Sequence, residues 1–203
     1  MAQYNMLNPK TIYPFFDFFS TPGTETSLVN ELNTRGLTVQ HQPPATGKCV
    51  VLGHGAGAYK ALKWAEDNTS RVEKIILLAP ELLSEHPITI ADRVFKALPG
   101  IGQFWFKKNH SKFGARSAED LKNAYPELLK QNGQKLSGSA LLPFSGLCIF
   151  ADRDERVHSH PQENELKRVC PAVKVEEIHG AQHDFIQTHA VKIAEMILRE
   201  LKS

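Results

Sequence analysis

The 203 residues suffice for one α/β domain with a sizeable core, and 24 Lys and Arg against 22 Asp and Glu leave a formal net charge of +2 with no long basic run, a balance that excludes nucleic acid and an anionic membrane surface as expected partners. No apolar run approaches the ~20 residues of a membrane-spanning helix, and the polar opening "MAQYNMLNPK" lacks the charged-then-apolar order of a signal peptide. Three unevenly spaced cysteines, Cys49, Cys148 and Cys170, argue against a disulfide framework, so the expectation is a reducing compartment and a cytoplasmic protein.

"TIYPFFDFF" (Thr11 to Phe19) reads as a buried aromatic strand, with Pro14 marking an early or irregular position in it. After the turn "STPGTE", Ser27 is placed to cap the helix "LVNELNTR", and Gly36 to stop it. "LTVQH" is a second strand, the link "QPPATG" is very short, and "KCVVLG" is a third strand. In "AYKALKWAED", Ala58, Ala61, Leu62 and Ala65 recur at helical spacing, as expected for a helix packed on a sheet. "VEKIILLAP" is a fourth strand. From about Leu82 to Ser139 the chain becomes more polar, with helical segments at Ile90 to Leu98 and Ala118 to Lys130 around "LPGIGQFWFKK". This stretch reads as a helical insertion. The strand signal returns in "LCIFA", followed by a helix at Glu163 to Val169 and the strand "VKVEEI". A last helix, Ala190 to Leu201, aligns Val191, Ala194, Ile197, Leu198 and Leu201 on one face. Cys49 and Cys148 fall inside apolar strands, where a thiol acts as a small hydrophobe. Strands alternating with helices predict a mostly parallel sheet covered on both faces, with functional groups at the carboxyl ends of the strands. That rule selects Ser20, Thr21, Gly55, Glu81, Asp152, Asp154, His179 and His183.

The segment "VVLGHGAGAYKAL" (Val50 to Leu62) has the layout of a G-x-S-x-G turn between a strand and a helix. Gly53 and Gly57 hold the outer positions, and Gly55 stands where that motif has serine. Farther on, "LCIFA" runs into "DRDERVHSH", and "VKVEEI" into "HGAQHDF". These strand ends, in this order, resemble the α/β-hydrolase superfamily from about Thr11 to the C-terminus, the insertion apart. The resemblance implies a single domain over 1–203, an α/β-hydrolase-like three-layer sandwich with a mostly parallel sheet and a small helical cap at about 82–139. "ADRDERV" matches the superfamily's acid pattern with Ala151 for its glycine, which makes Asp154 the acid, and "GAQH" makes His183 the histidine. A carboxylate on one imidazole nitrogen fixes the tautomer and leaves the other nitrogen as a base near neutral pH. Alternatively, Asp154 caps the following helix and His183 is an ordinary loop residue. Asp152 is the second choice for the acid and Glu81 the third, while His179 and His158 read as surface residues. The resemblance assigns two oxyanion N–H groups to Ala56 and to Ser20 or Thr21, although "FFSTPGT" lacks the usual His-Gly and also reads as a plain turn. The short "QPPATG" link and the missing opening strands make this a trimmed version of the fold.

Gly55 has no side chain and cannot attack a carbonyl. The turn holds its central residue in a conformation that glycine tolerates and other residues pay for in strain. Other nucleophiles are poorly placed: His54 is expected to point elsewhere, Cys49 lies too early on its strand, and Ser20 and Thr21 sit across the site. No Cys/His spacing fits a metal, and Gly53-x-Gly55-x-Gly57 is not the dinucleotide pattern, so neither metal nor cofactor is expected. Three functions remain open. The first is a pseudoenzyme that binds an acyl-type small molecule or a protein. The second is a hydrolase of carboxylic esters, thioesters or amides whose nucleophile has been replaced or lies elsewhere. The third is base catalysis by His183 and Asp154 alone. Phe104, Trp105 and Phe106 either line an apolar acyl pocket or form the core of the cap.

Overall fold

The computed structural model describes residues 10–16, 25–82, 104, 106–108, 117–120, 122–123, 141–154, 157 and 159–203. Among them, six strands form one sheet: β1 (Thr11–Phe15), β2 (Thr38–Val39), β3 (Cys49–His54), β4 (Val72–Leu78), β5 (Gly146–Ala151) and β6 (Val173–Ile178). The order is β2-β1-β3-β4-β5-β6, and every pairing is parallel. Parallel strands covered on both faces read as continuous apolar runs. Accordingly β3 and β5 are buried along their whole length, as are Ile75 to Leu78 of β4.

The helices are α1 (Thr26–Thr34), α2 (Gly57–Asp67), α3 (Ser159–Val169), α4 (Phe185–Thr188) and α5 (Ala190–Lys202). α1 and α5 pack against each other, burying Leu28 and Leu32 of one and Ile193, Ala194, Ile197 and Leu201 of the other. The β1–α1–β2 connection runs one way along the sheet and β3–α2–β4 the other. Right-handed crossovers therefore put α1 and α2 on opposite faces, which makes three layers. α2 buries Ala58, Ala61, Leu62 and Ala65 as their spacing predicts.

Several boundaries differ from the sequence reading. Ser27 does not cap α1, because Val29 N–H already donates to the Glu25 carbonyl at 2.9 Å and helical bonding begins before Ser27. Gly36, at φ 81°, does end that helix region. The strand predicted over "LTVQH" shortens to Thr38–Val39. Lys10 and Ile12 carbonyls accept from Thr38 and Gln40 N–H, so alternate residues of β1 face β2. The next residue on that side is Pro14, which has no N–H, and the ladder stops. Arg71 anchors the short link that follows by donating to the Pro44 carbonyl and lying over the Trp64 ring, 5.6 Å from its centroid. α3 starts four residues earlier than predicted. Val191 is 51% exposed and not part of the buried face of α5, which Ala190, Ile193 and Met196 complete instead.

Much of the predicted insertion, with its helix at Ile90 to Leu98 and with Trp105, lies outside the described residues. Ala118 to Asp120, Lys122 and Asn123 are helical, and the Ser117 hydroxyl accepts from the Asp120 N–H at 3.1 Å. Of the aromatics expected in that insertion, Phe106 is buried and Phe104 exposed among the described residues. No described helix is long and apolar enough to cross a membrane.

Candidate functional site

The candidate site forms at the carboxyl ends of β3, β4, β5 and β6. It lies beside the point where the chain, having run from β1 out to β2, returns past β1 to β3. Such a reversal opens a crevice at the carboxyl edge of a parallel sheet. Steric fit dictates the two outer glycines of the β3–α2 junction. A Cβ on Gly53 would lie 2.5 Å from the Ala58 Cα and 2.9 Å from the Ala61 Cβ. A Cβ on Gly57 would overlap the Phe15 carbonyl at the end of β1. The small residues of α2 thus bring its N-terminus down onto the sheet.

Gly55, at the apex of the junction, has φ 54°, in the left-handed region that favours glycine. Its backbone is fastened to β4 on both sides. Gly55 N–H donates to the Leu78 carbonyl at 2.9 Å, and the Gly55 carbonyl accepts from Ala58 N–H at 3.1 Å and Glu81 N–H at 3.0 Å. Between Leu78 and Glu81, Ala79 has φ 40°, a positive value unusual for a residue with a Cβ. The two left-handed residues, Gly55 and Ala79, therefore form one turn-against-turn unit. The first N–H groups of α2, Ala56 among them, find no acceptor within the helix itself.

The other half of the site comes from the β5 and β6 loops. Asp152 N–H donates to the Ile178 carbonyl and Arg153 N–H to the Ala181 carbonyl, lacing the two loops together. This brings Asp154 Oδ2 to 2.7 Å from His183 Nδ1. Asp154 Oδ1 accepts from Val157 N–H at 2.9 Å, so the same carboxylate also closes the turn ahead of α3. The alternative expected of Asp154, a cap on the following helix, is not what is seen: the helix starts at Ser159, and the carboxylate bonds Val157 N–H and His183 instead. The Asp154 side chain is 1% exposed and that of His183 18%. With its Nδ1 on a carboxylate, His183 presents Nε2 as the nitrogen for other chemistry.

Asp152, the second choice for the acid, faces away from this pair. Its carboxylate accepts from Gly180 N–H at 2.6 Å and lies 3.3 Å from Nδ1 of His179, whose side chain is 83% exposed. Glu81, the third choice, lies beside the apex, where its N–H bonds Gly55. Ser20, Thr21 and His158 lie outside the described residues. Cys49 is paired with Val72 at the far end of β3, and burial pushes its thiol pKa up, against a downward pull from Arg71. Among the described residues, no three His, Cys, Asp or Glu side chains are grouped to hold a metal ion.

His54 lies elsewhere than its place in the sequence predicts. It was expected to point away, yet its ring is buried, 5.2 Å from the His183 ring centroid and 6.3 Å from that of Phe185. Its Nε2 lies 3.3 Å from the His183 carbonyl oxygen. The available signal was a polar residue closing the otherwise apolar run "CVVLGH". A polar side chain buried there must find partners within the protein.

The sequence matches no protein-family model and no curated protein. Solved structures do resemble it. An α/β-hydrolase enzyme from a Medee basin deep-sea metagenome superposes with a TM-score of 0.70 at 9% identity, over 97% of this chain and 90% of that one. For a thermophilic esterase from Thermogutta terrifontis the values are 0.66 and 17%, over 96% and 90%. For tomato methylketone synthase I, a histidine-to-alanine variant in complex with β-ketoheptanoate, they are 0.58 and 14%, over 95% and 97%. The chain has the α/β-hydrolase fold.

Proposed function

We propose that this chain is an α/β-hydrolase-fold protein that works without a serine nucleophile. It binds an acyl-type small molecule over the Gly55 turn and forms no acyl-enzyme. One observation carries this reading: Gly55, at φ 54°, occupies the apex of the strand–turn–helix junction, where the fold's hydrolases display serine, and His54 just before it packs against His183. In serine hydrolases of known mechanism, loss of the nucleophile lowers turnover by about 10⁶. What remains suits binding. The Ala56 N–H at the start of α2 and the His183 Nε2 offer polar contacts to a carbonyl or carboxylate oxygen. The positive end of the helix dipole favours negative charge at the same place.

A second reading is favoured by the 2.7 Å bond between His183 and the buried Asp154. An imidazole held in one tautomer by a carboxylate is a general base or acid that needs no nucleophile. In this reading His183 Nε2 takes a proton from a bound small molecule, and Asp154 stabilises the imidazolium. β-Keto acids, the ligand class captured on tomato methylketone synthase I, are the first compounds to offer it.

The test uses the unaltered protein. Intact mass after treatment with a fluorophosphonate and with p-nitrophenyl butyrate is expected to be unchanged. Titration with straight-chain carboxylic acids and β-keto acids is expected to shift the amide resonances of Gly55 and Ala56 and the His183 ring. Deuterium uptake at the α-carbon of a β-keto acid in D2O, catalysed by the parent and lost in His183→Ala, selects the second reading. A stoichiometric adduct on any residue overturns both and reveals a hydrolase with its nucleophile elsewhere.

A further inference from the structure

The geometry points to His54 as a positioning residue that holds His183 in place, through the backbone of the His183 loop, for its bond to Asp154. This deepens the proposed function, because it concerns the same site and rests on that reading for its purpose. Neither the elbow motif nor the acid–histidine pair assigns His54 a role.

Three contacts carry the inference. His54 is 3% exposed and closes β3, paired with Leu78 of β4, so its backbone is fixed by the centre of the sheet. Its Nε2 lies 3.3 Å from the His183 carbonyl oxygen. A carbonyl only accepts, so the hydrogen sits on the His54 Nε2. The two ring centroids are 5.2 Å apart with the planes tilted by 32°, and the Phe185 ring centroid is 6.3 Å from that of His54. His54 thus touches both the backbone and the ring of His183. Asp154 holds the ring by Nδ1 from one direction, and His54 holds the peptide from the other. Asp154 thereby restrains the ring and His54 the peptide that carries it. Because His54 directly precedes Gly55, the same residue fixes how far His183 stands from the apex.

His54→Gln and His54→Phe separate a positioning role from a packing role. Gln keeps an N–H donor on a side chain of similar reach, whereas Phe keeps a ring but no donor. The readout is the ¹H–¹⁵N spectrum of the histidine rings, which reports the tautomer of each and needs neither ligand nor turnover. In the unaltered protein, His183 is expected wholly as the Nδ1–H form and His54 as the Nε2–H form. In His54→Phe, the His183 Nδ1–H is expected to exchange faster with water and its ring nitrogens to shift, because the loop that presents the ring to Asp154 is no longer held. In His54→Gln both are expected to match the parent. The inference is overturned if His183 is unchanged in a cooperatively folded His54→Phe protein. It is equally overturned if His54 in the unaltered protein carries its hydrogen on Nδ1, a result that stands even if His54→Phe does not fold. Failure of ligand binding leaves these spectra untouched, so the two proposals fail separately.

Discussion

At Gly55 the backbone conformation and the missing side chain have a common consequence. A left-handed residue with a Cβ costs about 1–2 kcal/mol, so a serine at this apex is tolerated only where its hydroxyl is needed. Gly55→Ser is therefore expected to be slightly less stable than the parent, by about that amount, in urea unfolding. The three thiols are a second matter at this scale. Burial pushes Cys148 well up and Cys170 up to about 12, and it also raises Cys49. The native thiols stay protonated at mildly alkaline pH, and the thiolate is the reactive species. Iodoacetamide at pH 8 is expected to modify none of them in the folded protein and all 3 cysteines of the chain after unfolding. Fast modification of any one in the native state contradicts this burial. By linkage, these raised values stabilise the fold below the ordinary thiol value of about 8.5, and that contribution fades as the pH rises through the folded values.

Among the elements, the β3–α2 junction depends on how closely helix and sheet approach. Gly57→Ala would place a Cβ against the Phe15 carbonyl and push α2 off β1. Overpacking of this kind costs about 1–3 kcal/mol, so the melting temperature is expected to fall and the Gly55 amide to shift with it. A Gly57→Ala protein of parental stability would mean that α2 is not seated as described. The sequence made this junction legible because Gly53, Gly57 and the alanines of α2 are local signals at fixed spacing. The sheet was legible for the same reason: β5, most of β3 and Ile75 to Leu78 of β4 are apolar runs, as doubly covered parallel strands are. Asp154 and His183 could be chosen from strand ends and motif order. Their 2.7 Å contact depends on bonds between two loops 29 residues apart, which no local pattern specifies. His54 was misjudged because strand alternation says which face a side chain leaves from, not which loop folds over it. Val191 differs because helical spacing assigns a wide stripe, and Val191 lies at its exposed edge. The one-residue-in-two accounting at Pro14 explains a short β2 only once the side of β1 facing it is known.

For the whole molecule, the last helix locks the sheet by ion pairing as well as by apolar packing. Glu200, 6% exposed, accepts from Lys74 at 2.7 Å and from Lys174 at 2.8 Å, tying α5 to β4 and β6. Burial alone would raise this carboxyl, but the two ammonium groups outweigh it and hold its pKa below the ordinary range. The sign follows from linkage: a depressed carboxylate stabilises the fold above its unfolded value of about 4.3, and this contribution is lost as the pH falls through the folded value. Glu200→Gln is expected to lower stability at pH 7 by roughly 1–3 kcal/mol, since it leaves charged donors poorly matched. The difference from the parent is expected to shrink below about pH 4. A constant difference from pH 7 to pH 3 in chemical unfolding would show that the Lys74–Glu200–Lys174 cluster does not act as described.

The central proposal is that the Gly55 turn, the Ala56 N–H and the His183–Asp154 pair stand as in a hydrolase site without its nucleophile, and Gly55→Ser tests it most directly. The introduced hydroxyl would stand beside His183, which Asp154 holds to receive its proton. The Ala56 N–H would meet the developing oxyanion, a contribution of about 2.7–4 kcal/mol for one donor in known cases. The measurement is hydrolysis of short-chain p-nitrophenyl esters by the parent, by Gly55→Ser and by Gly55→Ser/His183→Ala. Activity in the single variant, absent from the parent and from the double variant, is the predicted result. Hydrolysis by the parent, or a folded Gly55→Ser protein no more active than the double variant, would contradict the claim.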